Sequence, residues 1–133
     1  MYSDEALLNG MLIGFWLITI AISVVWYLLT IFSNMVLFRR AGYAAWKALI
    51  PIYNLYIQQC ITFGEEKGIF ILFILIPVAG PIYSLYLTYN YGRAFGLSTV
   101  QSVFYLFFTP LLNVYMAFKE EHSYKGPQDF FLN

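Results

Sequence analysis

Charged residues in this chain fall in short patches, and the gaps between the patches decide what it can become. No Asp, Glu, Lys or Arg occurs between Glu5 and Arg39, Lys47 and Glu65, Lys67 and Arg93, or Arg93 and Lys119. A helix that crosses a bilayer needs about 20 mostly apolar residues, and each gap is read as long enough for one. Charged residues are 11% of the chain, against about 25% in an ordinary soluble domain. That leaves too little polar surface to clothe a soluble fold of this size, and the run lengths disfavour a merely apolar soluble core. The pattern predicts an all-α, polytopic integral membrane protein. Its four transmembrane helices are placed at 8–37, 43–63, 69–91 and 99–118, with a short polar tail at 119–133.

The first run, residues 6–38, would reach about 50 Å as a helix. That exceeds a hydrocarbon core of about 30 Å, so the helix must tilt or protrude. The connections Arg39–Gly42, Gly64–Gly68 and Gly92–Ser98 carry glycines where helices should stop. An N-outside start puts Arg39, Arg40, Lys47 and Arg93 on the inner face. All the acids, with Lys67, Lys119 and Lys125, then fall outside. The Arg39–Arg40 pair beside the first helix carries the orienting force, so both termini are expected outside. The acidic start MYSDE lacks the positive region of a signal peptide. The chain is therefore expected to be uncleaved and complete, one membrane domain over 1–133.

One phrase returns three times: PIYNLY at 51–56, PIYSLY at 81–86 and PLLNVY at 110–115, at intervals of 30 and 29. The middle unit has a second proline, Pro77. Proline inside a helix removes a backbone donor and frees a carbonyl one turn earlier. In lipid that carbonyl must find a protein partner or a bound water. The polar residue three positions after each proline lies near the same face, so the phrase reads as a kink with its own supply of hydrogen-bond partners. Helical spacing extends this into stripes. Lys47, Pro51, Asn54, Gln58 and Thr62 form one; Pro77, Pro81, Ser84, Thr88 and Tyr91 another. Ser98, Ser102, Tyr105, Thr109 and Asn113 form a third, with Pro110 beside it, and Trp16, Thr19, Ser23, Trp26, Thr30 and Ser33 line the first helix. Stripes facing inward would bond across a bundle, each contact contributing about 0.6 kcal/mol. They serve as packing, as a path for water, an ion or a solute, or as a face for a partner.

Few residues invite chemistry. Lys47 sits beside Tyr43 and Trp46, where a lysine is expected to snorkel to the headgroups. His122 follows Glu120 and Glu121. Adjacent positions do not converge on a metal, and there is no second histidine, so a solvated tail is expected. No nucleophile–base pair is visible, and the lone Cys60 reads as a small packing residue. Zero net charge leaves no nucleic-acid reading. No catalytic, cofactor or metal residues are assigned. The tail ends in Phe130, Phe131 and Leu132, expected at the membrane surface or on a partner.

The stretches AGYAAWKALIPIYNLYIQQ and GIFILFILIPVAGPIYSLYLTYNYGRAFGLS resemble a bacterial family of small membrane domains of unknown function. The resemblance runs over residues 41–118 and rests on Gly42, Trp46, Ala48, Leu49, Ile50, Pro51, Tyr53, Asn54, Tyr56, Pro77, Ala94, Phe95 and Gly96. Its LIPIYNLY core is the most specific part, and FFTPLLNVYMAFKEEH departs from the family's glycine-rich close. Such domains sometimes occur fused to type I signal peptidases. The resemblance implies residence in the bacterial cytoplasmic membrane and an accessory role at the export machinery. It supplies no catalytic residue. The resulting expectation is a non-enzymatic accessory or interaction subunit in contact with the bilayer and with another membrane protein or its own copies. The alternative is a small channel, pore or carrier using the polar stripes.

Overall fold

The structure, a computed structural model, describes residues 3–119 and 122–132. Every regular element among them is helical. Helix α1 spans Asp4–Arg40. The Ser3 hydroxyl caps its start by accepting from Ala6 N at 3.1 Å. Asp4 and Glu5 in the first turn, and Arg39 and Arg40 in the last, complement its dipole. Its mean hydropathy reaches 2.3 over an 18-residue window, of which none is buried. Only its C-terminal part enters the core, through Ile31, Ser33, Asn34, Leu37 and Phe38. It is the one helix among the described residues long and apolar enough to cross a membrane.

The three later segments, expected as single spans, each fold back on themselves. In the first, a 3-10 stretch at Ala45–Leu49 runs out and helix α2, Pro51–Phe63, returns. In the second, a 3-10 stretch at Glu65–Leu75 runs out and α3, Ala79–Ala94, returns. In the third, α4, Thr99–Phe107, runs out and α5, Thr109–Phe118, returns. Contacts across each turn show the fold-back. Trp46 stacks on Tyr53, and the Tyr43 hydroxyl reaches Glu65. Phe73 meets Tyr83 edge-on at 5.5 Å. Tyr105 donates to Asn113, while Met116 shares a core with Leu97 and Tyr105.

The prolines explain the breaks. Pro51 opens α2, where its missing N–H costs nothing. The ring drives Ile50 into extended backbone, φ −98° and ψ 112°. Ile76, before Pro77, is extended likewise. Pro110 lies in the first turn of α5, after a break at Phe108 with φ −128° and ψ 44°. The repeated proline therefore starts a helix instead of kinking one. The second tip is the tightest. Val78 has φ 67° and ψ −52°, and Ala79 N donates to Pro77 O at 2.7 Å, which is a γ-turn. A Cβ on Gly80 would stand 2.2 Å from the Ile74 carbonyl oxygen, so only glycine fits there.

Two clusters hold the molecule. The larger joins Leu37 and Phe38 of α1 to Ile57 and Ile61 of α2, Tyr91 and Phe95 near the end of α3, and Tyr105 and Met116. The smaller is aromatic, with Phe63, Tyr83 and Phe130 packed against Phe70 and Phe73. The tail lies against the bundle through Phe130, not free of it.

Candidate functional site

The C-termini of α2, α3 and α5 come together, and each brings carbonyls that lack helical partners. Arg40 supplies α5. Its guanidinium donates to Met116 O, to Ala117 O at 2.6 Å, and to Lys119 O and His122 O at 3.2 Å. The tail supplies the other two. Tyr124 donates its hydroxyl to Ile61 O, and Gln128 N donates to Thr62 O, at the end of α2. Lys125 N donates to Ala94 O at 2.7 Å, and His122 Nδ1 lies 3.3 Å from Phe95 O, at the end of α3. His122 is buried against the Tyr115 ring. This corrects the expected solvated tail: the carbonyls of two helix ends need donors, and the tail provides them. Glu120 and Glu121 lie outside the described residues.

This gathering also changes the expected topology. The connections at 39–43, 64–67 and 93–98 and the tail are expected to alternate between two faces, yet Arg40 binds Met116, Ala117, Lys119 and His122, Tyr43 binds Glu65, and Lys125 binds Ala94. They share one end. Arg39, Arg40, Lys67, Arg93, Lys119 and Lys125 all lie there, and cations beside helix C-termini are favourable. Burial pushes the phenols of Tyr43 and Tyr124 above their usual range at this end.

The polar candidates separate into groups. Asn54 donates to Ala48 O at 2.9 Å and accepts from Gln58 at 2.7 Å. Asn113 is buried and accepts from Tyr105. Both amides thus tie a returning helix to its own outgoing limb, where bonds across the bundle were expected. Ser102 is fully buried, and its hydroxyl has no partner among the described residues. Thr109 returns its hydroxyl to Tyr105 O. Pro51, Pro77, Pro81 and Ser84 are exposed, while Gln58, Thr88 and Pro110 are half-buried. Lys47, also half-buried, holds its ammonium over the Tyr43 and Tyr53 rings at 5.4 and 5.8 Å. Of the α1 stripe only Ser33 is buried. Ser23 is exposed and Thr19 and Thr30 are half-buried, and all three bond to carbonyls one turn back on the same helix, which lets a hydroxyl face lipid.

Gln59 and Asn34, which lie off the stripes, make three further bonds. Gln59, fully buried, donates to Lys67 O at 3.0 Å and accepts from the Tyr83 hydroxyl. Asn34 of α1 accepts from Tyr91 at 3.0 Å. In the sequence Arg40 reads only as an orienting charge. An amide within an uncharged run was the available signal for Asn34 and Gln59.

The surface away from the polar end is apolar. Ile52 is 84% exposed, Val78 81% and Phe107 76%, and each lies at or beside a tip. An open cleft of about 560 Å³ between the second hairpin and the tail is lined by Phe73, Ile82, Tyr86 and Phe131 among others.

Fold and surface define an all-helical protein with one exposed apolar helix fit to cross a membrane and three hairpins bound at a polar end. The profile of a family of unknown function, DUF5684, matches residues 46–127, more than half of the chain, and the protein belongs to that family. The match takes in all three hairpins and most of the polar end, and leaves out α1. No curated protein and no solved structure matches the chain.

Proposed function

We propose that this is a non-enzymatic integral membrane protein of the bacterial cytoplasmic membrane that acts by binding another membrane component, either its own copies or a partner subunit. The observation that carries this reading is α1, whose apolar window of mean hydropathy 2.3 is wholly unburied. A helix apolar on all sides belongs in lipid or against other helices. Gly10 and Gly14, four apart on it, have nothing within 4 Å of where a Cβ would stand. That spacing lets two membrane helices approach closely. The polar side chains of the bundle mostly bond to one another or to backbone, which supports packing over a conducting path. The resemblance to domains fused to signal peptidases makes the export machinery the first place to look for a partner.

Extraction in a mild detergent, chemical cross-linking in cells and mass spectrometry of the cross-linked species test the reading. A stoichiometric partner or a discrete oligomer, weakened by Gly10→Leu with Gly14→Leu, is the expected result. Protein-dependent, selective solute flux into reconstituted liposomes would overturn it in favour of a channel or carrier.

A further inference from the structure

The returning helices of the three hairpins are all shorter than a bilayer core. Helix α2 has 13 residues, α3 has 16 and α5 has 10, about 20, 24 and 15 Å long, where the full hydrocarbon core is about 30 Å. Each returns to the end from which its outgoing limb left. Charge divides the same way. The limbs between Lys67 and Arg93 and between Arg93 and Lys119 carry none, and the Lys47 ammonium in the first limb is held between the Tyr43 and Tyr53 rings. The tips present Ile52, Val78 and Phe107 with more than three-quarters of each side chain open. Soluble turns are polar; these are built from Ile50-Pro51, Pro77-Val78 and Phe107-Phe108. The polar end instead gathers six Lys and Arg residues with Glu65, Glu66 and Asp129 among them. An apolar set of tips under a rim of mixed charge is complementary to a zwitterionic or polar headgroup layer over acyl chains.

Resting on the membrane reading above, we propose that the hairpins are re-entrant. They dip from the Arg39–Arg40 face into the acyl chains of the adjoining leaflet and return, while α1 alone crosses. The surface partner of the tips is lipid. At each break the protein itself pairs a backbone carbonyl, as lipid demands of such groups: Asn54 covers Ala48 O beside the first, Ala79 closes on Pro77 O in the second, and Thr109 covers Tyr105 O beside the third. The N-terminus then lies on the face opposite all the later loops and the C-terminal tail.

Single cysteines in the full-length Cys60→Ser protein test this: Ser3→Cys at the start of α1; Glu66→Cys, Thr99→Cys and Ser123→Cys at the polar end; and Ile52→Cys, Val78→Cys and Phe107→Cys at the tips. An impermeant maleimide is applied to intact cells and to inverted vesicles, and tip cysteines carrying bimane are examined in vesicles with brominated acyl chains. The expected result is labelling of Ser3→Cys from one side and of Glu66→Cys, Thr99→Cys and Ser123→Cys from the other. Labelling is lost at all three tips from both sides, with bimane quenched there by the bromines. Labelling of Glu66→Cys and Ser123→Cys from the side opposite Thr99→Cys would overturn the re-entrant arrangement in favour of four crossings. Maleimide-reactive, unquenched tips would overturn leaflet insertion. Release of the protein by alkaline carbonate would instead sink the membrane reading itself, so the two failures are distinct.

Discussion

Arg39 and Arg40 are neighbours with the same side chain, and an orientation rule based on charge treats them alike. The structure does not. Arg39 is exposed, whereas Arg40 is half-buried and feeds the last carbonyls of α5. A hydrogen bond with a charged partner contributes about 1.5–3 kcal/mol. The bonds to Met116 and Ala117 are the close, partly buried ones; those to Lys119 and His122, at 3.2 Å, add less. Allowing for water replacing part of this, Arg40→Met should destabilise the protein by about 2–4 kcal/mol. Arg40→Lys keeps the charge but loses the planar fork that spans neighbouring carbonyls, and should cost about half as much. Arg39→Met should stay within about 0.5 kcal/mol, as exposed substitutions do. Reversible unfolding in mixed micelles, titrated with a denaturing detergent and followed by tryptophan fluorescence, measures all three. Equal shifts for Arg39→Met and Arg40→Met would refute the capping argument and leave Arg40 as a bulk charge.

Other positions make separate predictions, read by the same unfolding assay. Val78→Gly should stabilise by about 1 kcal/mol, because a β-branched residue at φ 67° is strained by more than glycine's added chain entropy. Gly80→Ala should destabilise by about 3 kcal/mol or prevent assembly of the second hairpin, since the atom it meets is backbone. Gln59→Leu strands the Tyr83 hydroxyl and Lys67 O and should cost about 2–4 kcal/mol, with Gln58→Leu, half-buried, costing less. Ser102→Ala removes a buried hydroxyl without a partner among the described residues and should be neutral or slightly stabilising. Tyr43 and Tyr124 titrate above the ordinary phenol value of 10.0 in the folded state. Their contribution is full below that value and lost as pH rises through the raised ones, so the unfolding midpoint should fall on alkaline titration, less so in Tyr124→Phe.

The sequence announced its helices and the polar ends between them. Gly42, Gly64 and Gly96 stand at positive φ, where the glycines in the connections marked stops. It did not announce the tips. In water a chain reversal advertises itself with Asn, Asp, Ser or Gly. Here the reversals are carried by Ile50, Val78 and Phe108, apolar residues that let each segment pass for one continuous span. The hidden break also shifts the phase of α2. The stripe that chose Gln58 was counted from Lys47, but Lys47 belongs to the 3-10 limb, and the break at Ile50 resets the helical phase. Counted from Pro51 alone, the buried residues are Ile57, Gln59, Cys60 and Ile61 through Phe63. The family match begins at residue 46, so it gives no guidance on Asn34 or Arg40.

The repeated phrase takes its meaning from the reversal. Its proline begins the returning helix, and the residue three positions on lies within reach of the outgoing limb. In the first and third hairpins that residue is an asparagine, and it makes the tie. In the second it is Ser84, which is exposed. There the limbs are drawn together by other means: Gly80 permits backbone contact with Ile74, Phe73 packs on Tyr83, and Gln59 reaches from α2 to both Tyr83 and Lys67 O. A short amide suffices where the turn is made by one proline. The middle unit, with Pro77 and Pro81 around a γ-turn, brings its limbs too close at the tip to need one, and takes its polar tie further up from a neighbouring helix. Two of the hairpins are therefore self-fastened, and the second is fastened to the first. This is why Gln59, outside the repeated phrase, is buried more completely than Asn54 within it.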